Sequence, residues 1–316
     1  MAILEATREA VAAAGVALRG GDLVAFPTET VYGLGADACN GHVVAAIFAA
    51  KDRPRFNPLI VHVPDIDAAG RLGCLSDSGR QLAAAFWPGP LTLVMTKQPR
   101  CPVADLATAG LDTIALRVPA HPVAQALLRA ADRPVAAPSA NRSGHVSPTT
   151  AAHVESDLGA RVAIILDGGP APIGLESTVV DVTGPEPVIL RLGGLARESI
   201  ANVLGRSVEL ARGQPRPTSP GMLARHYAPA AKLRLDASEV QNGEALLAFG
   251  PITPKHAGTS INLSLSGDLV EAAANLFSAL RALDASGAKA IAVMPIPHAG
   301  LGEAINDRLQ RAARGK

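Results

Sequence analysis

The chain has 316 residues, and 29 lysines and arginines against 28 aspartates and glutamates leave a formal charge of +1, so net charge marks neither a nucleic-acid binder nor a membrane-surface protein. With 48% hydrophobic and 18% charged residues, there is material for one large core or two smaller ones, and disorder as the main state is excluded. Six Phe, two Tyr and one Trp are too few for the aromatic platforms of base-reading RNA modules.

Leu4, Val11 and Leu18 recur at seven-residue spacing ahead of Gly20 and Gly21, which predicts an opening helix over 4–19. A strand over 23–26 follows, then a glycine-containing loop, PTETVYGLGADACN (27–40), and a helix over 42–51. Apolar or β-branched runs predict strands at 59–63, 91–95, 113–118, 134–137, 162–166, 178–182 and 188–190, with helices around 76–86, 121–131 and 149–158. The first two hundred or so residues therefore read as an α/β unit with mixed strand directions. Three prolines and two glycines in GQPRPTSPG (213–221) mark a linker. Beyond it, strands at 232–235, 245–249 and 290–294 and helices at 268–283 and 303–313 fit a small Rossmann-like domain. The expected plan is a domain over 1–207, a linker or lid over 208–231 and a C-terminal domain over 232–316.

Cys39, Cys74 and Cys101 stand too far apart for a disulfide framework or a zinc site. No apolar run approaches a membrane span. Glu5, Arg8 and Glu9 do not form the start of a secretory signal, so a cytoplasmic setting is expected.

Four segments carry candidate chemistry. In KDRPRFNPLIVHV (51–63), Lys51, Arg53 and Arg55 precede a turn and a strand ending near His62. A lysine point charge beside arginine forks suits a phosphate clamp, although a solvated charge run gives the same pattern. In PTETVYGLGADA, Gly33, Gly35 and Ala38 formally satisfy G-x-G-x-x-A. The glycines begin seven residues past Phe26, and His62 stands where a dinucleotide site needs an acid, so the polar loop suits a small ligand better. APSANRSGHVSPTT (137–150) offers Ser139, Asn141 and Ser147 before a helix that Ser147 or Thr149 can cap, and helix starts with spare donors also bind anions. In GLESTVVDV (174–182) and ILRLGG (189–194), Glu176, Ser177 and Thr178 open a strand and Arg191 closes the next. A P-loop, an H-E-x-x-H motif and a G-x-S-x-G elbow are absent, and Ser139 with His145 lacks an oxyanion loop.

Taken in order, PTETVYGLGADA, KDRPRFNPLIVHV, FWPGPLTLV, TIALRVPAHP, APSANRSGHVSP, ESTVVDV and ILRLGG resemble the YrdC-like domain of the threonylcarbamoyl-AMP synthases. SPGMLARHYAP (219–229) and LGEAINDRLQRAA (301–313) resemble the two-domain long form of that family. The resemblance implies a YrdC-like twisted mixed sheet with flanking helices and a large concave cleft, followed by the small Rossmann-like domain. It implies a nucleotidyltransferase that joins L-threonine, bicarbonate and ATP into threonylcarbamoyl-AMP and pyrophosphate. Magnesium would arrive with the ATP, with no metal held by the protein alone. Downstream transferase proteins would modify tRNA, with at most weak tRNA contact here. By resemblance, Thr30, His62, Arg117, Ala137 and Ser177 fall at threonine-contacting positions. Lys51, Arg53, Asn57, Thr113, Ser139, Ser147 and Arg191 fall at nucleotide-contacting ones, and Tyr227 near the segment that reaches back over the nucleotide. Lys51 and Arg53 are the expected electrostatic catalysts, with no covalent nucleophile, and His62 is expected to serve as a ligand rather than a base. The competing readings are an RNA-binding or ribosome-maturation factor using the cationic cleft, and a carbamoyl-transfer domain.

Overall fold

The computed structural model describes residues 2–54, 57–211, 227–255 and 258–314. In chain order the first part contains β1 (Ala2–Glu5), α1 (Arg8–Gly20), β2 (Val24–Phe26), β3 (Gly33–Asp37), α2 (Gly41–Lys51), β4 (Ile60–His62), α3 (Ile66–Leu72) and β5 (Gly73–Cys74). It continues with α4 (Asp77–Phe86), β6 (Leu91–Lys97), β7 (Thr113–Arg117), α5 (Pro122–Ala131), β8 (Val135–Ala136), α6 (Ala151–Leu158), β9 (Ile164–Asp167), β10 (Thr178–Asp181), β11 (Val188–Arg191), α7 (Arg197–Leu204) and β12 (Glu209–Leu210). These strands form one mixed sheet in the order β1-β9-β2-β3-β8-β4-β7-β6-β10-β11-β12, with β5 on β6.

The pleat sorts the central strands into two faces. Val61, Leu93, Met95, Ile114, Leu116 and Val180 join the largest apolar core with Ile47, Phe48, Leu72 and Leu82 from α2, α3 and α4. The alternating positions, among them His62, Thr92, Arg117 and Val179, face the other way. There the helices leave a concave surface. A separate apolar cluster holds α1 and α5 on Val24, Phe26 and Leu166.

The opening segment differs from the expected helix over 4–19. Residues 2–5 are a strand, because Ala2 to Glu5 pair in parallel with Ile164 to Asp167, a partner too distant for local periodicity to reveal. The helix begins only after Thr7, whose hydroxyl caps it by accepting from the Ala10 N–H at 3.2 Å. Within the expected loop 27–40, Gly33–Asp37 is a strand paired with β2. Gly35 serves packing there, since a Cβ would stand 2.9 Å from the Phe26 ring and 3.0 Å from Val135. The first sheet also runs to Leu210, past the expected boundary at 207, because β12 pairs with β11. Neither α3 nor α7 was foreshadowed by the sequence pattern.

The second part contains β13 (Lys232–Arg234), β14 (Glu244–Ala248), β15 (Ser260–Asn262), α8 (Leu269–Ala285), β16 (Ala290–Val293) and α9 (Leu301–Ala313). Its all-parallel sheet, ordered β13-β16-β14-β15, is covered by α8 and α9. The core of this unit is continuous with the first: Val31, Val146 and Leu175 pack in the same cluster as Leu276, Phe277 and Leu280. Gly174 makes that approach possible, having φ +72° and a Cβ position only 2.4 Å from the Ala273 carbonyl oxygen. Among the described residues no helix is long and apolar enough to cross a membrane.

Candidate active site

Sheet register builds the floor of the cleft. His62 pairs with Arg117, Arg117 with Thr92, Thr92 with Val179 and Val179 with Arg191. One cross-strand row, stepping about 4.8 Å per strand, thus carries an imidazole and two guanidinium groups on one face. The cleft above it is lined by Thr28, Thr30, Arg53, Ala137, Ser139 and Tyr227 as well as by His62, Arg117 and Arg191 of this row. Its space is about 520 Å³ with the open mouth included.

One end is cationic. Lys51 is 1% exposed and its ammonium donates to the Ser139 carbonyl at 2.5 Å, to the Asn141 carbonyl and, at 3.4 Å, to Asn141 Oδ1. Arg53 donates to the Asn57 and Pro58 carbonyls at 3.5 and 3.2 Å. Arg191 grips the Ser177 carbonyl through Nε and Nη2 at 3.1 and 2.7 Å, and Nη2 also reaches the Ser177 hydroxyl at 3.0 Å. Burial, then the charge of Arg53, lowers Lys51 well below the usual lysine range. Burial and Arg191 bring Arg53 to about 10. Like charges held out of water lower one another's proton affinity, a strain that a bound anion relieves.

The other end is mixed. Arg117 pairs with Glu29 at 2.7 Å and donates to the Thr30 hydroxyl at 2.8 Å. Burial pushes the Glu29 carboxyl up, and the Arg117 guanidinium more than offsets this, leaving it below its ordinary value. Burial, with the nearby Arg117 charge, drops His62 to about 3, so its ring is neutral at physiological pH. Its Nδ1 has no hydrogen-bond partner among the described residues and is suited to accept from an ammonium group.

A third cluster joins the domains. Glu176 accepts from the Ser147 hydroxyl at 2.5 Å and from Arg308 Nε of α9 at 2.9 Å. Burial raises its pKa, but Arg308, Arg191 and Ser147 outweigh that and bring the carboxyl to about 2. The Arg308 guanidinium lies 4.9 Å from the centroid of the Tyr227 ring, which stacks on Phe277 at 5.6 Å.

A family model described as telomere recombination, Sua5/YciO/YrdC, matches residues 16–193, and a second, described as the C-terminal domain of threonylcarbamoyl-AMP synthase, matches 195–314. The chain belongs to the threonylcarbamoyl-AMP synthase family. It is 41% identical to the threonylcarbamoyl-AMP synthase of Bacillus subtilis (strain 168), over 97% of this chain and 93% of that one. The Pyrococcus abyssi (strain GE5 / Orsay) relative of the same name is 42% identical over 94% and 92%. The crystal structure of P. abyssi Sua5 complexed with L-threonine matches with a TM-score of 0.91 at 37% identity, covering 99% of this chain and 98% of that one. The chain is accordingly an enzyme of the nucleotidyltransferase type.

Of the residues singled out in the sequence of this family member, Thr30, Arg53, His62, Arg117, Ala137, Ser139, Ser177, Arg191 and Tyr227 line one cleft. Lys51 stands behind that lining, its ammonium held by the carbonyls of Ser139 and Asn141. Asn57 is fully buried, and both its amide atoms lack a partner among the described residues. Ser147 is turned to Glu176, and Thr150, not Ser147 or Thr149, caps α6. Thr113 shares the cleft face with Arg117 but sits at the far end of β7, opposite Thr96. Four residues of strand, roughly 13 Å, separate the two, and Thr113 is not part of the lining. Arg55 and most of the expected lid lie outside the described residues; Tyr227 is described, 1% exposed, at φ +64°.

Two features escaped the sequence reading. Glu29 lies inside the PTET motif, whose threonines alone point to a ligand; its role emerges only where Arg117 meets it. Arg308 falls in phase with Ala304, Ile305, Leu309 and Ala312 on the buried stripe of α9. An arginine in phase with an apolar stripe must meet a buried acceptor or anion, which is the signal the sequence carries.

Proposed function

We propose that the cleft makes threonylcarbamoyl-AMP and pyrophosphate from L-threonine, bicarbonate and ATP. The observation that carries this reading is the polarity of the cleft: Arg117, Glu29, Thr30 and neutral His62 form an end suited to a zwitterion. Arg53 and Arg191, with Lys51 behind the lining, form an end suited to polyphosphate. A threonine carboxylate would meet Arg117, and its amino group the hydroxyl and imidazole acceptors.

The amine condenses with bicarbonate, losing water, to give a carbamate. A carbamate oxygen then attacks the α-phosphorus, and the bond to the bridging oxygen breaks as pyrophosphate departs. Two anions must approach each other, so the chain's contribution is to neutralise and align them; no side-chain nucleophile is needed. With its pKa near 3, His62 acts as a hydrogen-bond acceptor in preference to a base.

Magnesium would enter with the triphosphate. Glu29 and Glu176 are both committed to arginines, so the residues present suit a cation held mainly by phosphate oxygens and water. The product would serve partner proteins that carry the threonylcarbamoyl group to adenosine in tRNA. An RNA-binding role fits the site poorly, because Lys51, Arg53 and Arg191 are 1%, 8% and 6% exposed and a polynucleotide backbone needs cations at the surface.

Pyrophosphate release is the test. It should require threonine and bicarbonate together, and collapse in Arg53→Ala. Release that ignores threonine sinks the reading.

A further inference from the structure

Arg308 is 0% exposed yet belongs to the second domain, and two of its three guanidinium nitrogens reach into the first. Nε donates to Glu176 at 2.9 Å, Nη2 to the Leu192 carbonyl at 2.7 Å, and Nη1 to Asp307 at 2.6 Å. Glu176 lines the cleft together with Arg53 and Arg191. Removed from Arg308, its carboxylate would stand uncancelled beside Arg191 and repel a polyphosphate from the end built for one. A seam held by packing alone would be served at position 308 by an apolar side chain, since burying a guanidinium in the stripe of α9 carries a desolvation cost.

We propose that Arg308 is a positioning residue for nucleotide binding: from the second domain it cancels the Glu176 carboxylate at the phosphate end of the cleft, so that this carboxylate does not repel a triphosphate. Docking of the second domain thereby becomes a condition of nucleotide affinity. This rests on the ATP-using reading above and adds to it the task of the second domain. Leu192 follows Arg191 directly, so the bond from Arg308 to its carbonyl also fixes the strand end that carries Arg191.

The experiment uses the full chain as wild type, Arg308→Met, Arg308→Gln, Arg308→Lys, Glu176→Gln and the Arg308→Met/Glu176→Gln double variant. Equilibrium binding of ATP, AMP and adenosine is measured on each, with pyrophosphate release alongside. Loss of the charge in Arg308→Met should weaken ATP about tenfold or more, AMP less, and adenosine less than about twofold. In the Glu176→Gln background the same substitution should weaken ATP by no more than about threefold. Arg308→Gln repeats the test should the methionine variant not fold, and Arg308→Lys, which keeps the charge, should retain most of the ATP affinity. Equal weakening of all three ligands, or a penalty that persists in the Glu176→Gln background, makes the seam structural only and overturns the proposal. A wild type that binds ATP but releases no pyrophosphate overturns the reading of the reaction while leaving this one to stand or fall on binding.

Discussion

At the nucleotide end of the cleft two cations rest on carbonyls: Lys51 on Ser139 and Asn141, and Arg53 on Asn57 and Pro58. At the amino-acid end and along the domain seam they rest on carboxylates: Arg117 on Glu29, Arg308 on Glu176, and Arg281 on Asp157 at 2.7 Å. A carbonyl satisfies an N–H donor but leaves the net charge in place, whereas a carboxylate cancels it. The difference teaches that a site for a highly charged anion is marked by cations left uncancelled, whereas a zwitterion, with no net charge, is matched by a neutralised pair such as Arg117 with Glu29.

Breaking the comparison at its carboxylate end should have the largest effect. Arg117→Ala strands Glu29 in a buried site and should cost about 3–5 kcal/mol of stability, read by chemical denaturation, with much of it recovered by adding Glu29→Gln. At the carbonyl end the expectation reverses. Arg53→Ala should leave stability within about 1 kcal/mol while lowering threonine-dependent pyrophosphate release by about 10²–10³. If both variants unfolded alike, the distinction between the two ends would be lost.

A smaller effect sharpens the seam through a single proton. The Glu176 carboxyl is held at about 2 against an ordinary 4.5. A carboxyl depressed on folding contributes stability that is complete above pH 4.5 and is lost as pH falls toward 2. Unfolding measured across that window should therefore be less steeply pH-dependent in Glu176→Gln than in the wild type. Smallest is Gly174→Ala. The added methyl meets the backbone of α8 and takes up a left-handed φ, so a loss of about 1–3 kcal/mol is expected in thermal melts, with the two domains less firmly docked.

Much of the first domain was legible because its strands carry local punctuation and its motifs sit where strands end. His62, Arg117 and Arg191 each close a short apolar run, and a residue at a strand end is poised at the rim of a sheet. What stayed hidden depends on distant partners. The strand Ala2–Glu5 exists only because Ile164–Asp167 lies beside it, and the helix-like spacing of Leu4, Val11 and Leu18 masked it. Ser147 read as a helix cap because a hydroxyl before a helix usually is one; its carboxylate partner, Glu176, stands far along the chain.

The order of the motifs, the α/β alternation and the family were determined by the sequence alone, since residue types at short spacings dictate turns, strand faces and local charge. Whether a given cation would be neutralised or left charged was decided only by the tertiary structure. That outcome depends on which carbonyl or carboxylate the fold brings within about 3 Å, and Arg308 meets Glu176 only after two domains, each with its own sheet, have closed on a shared core.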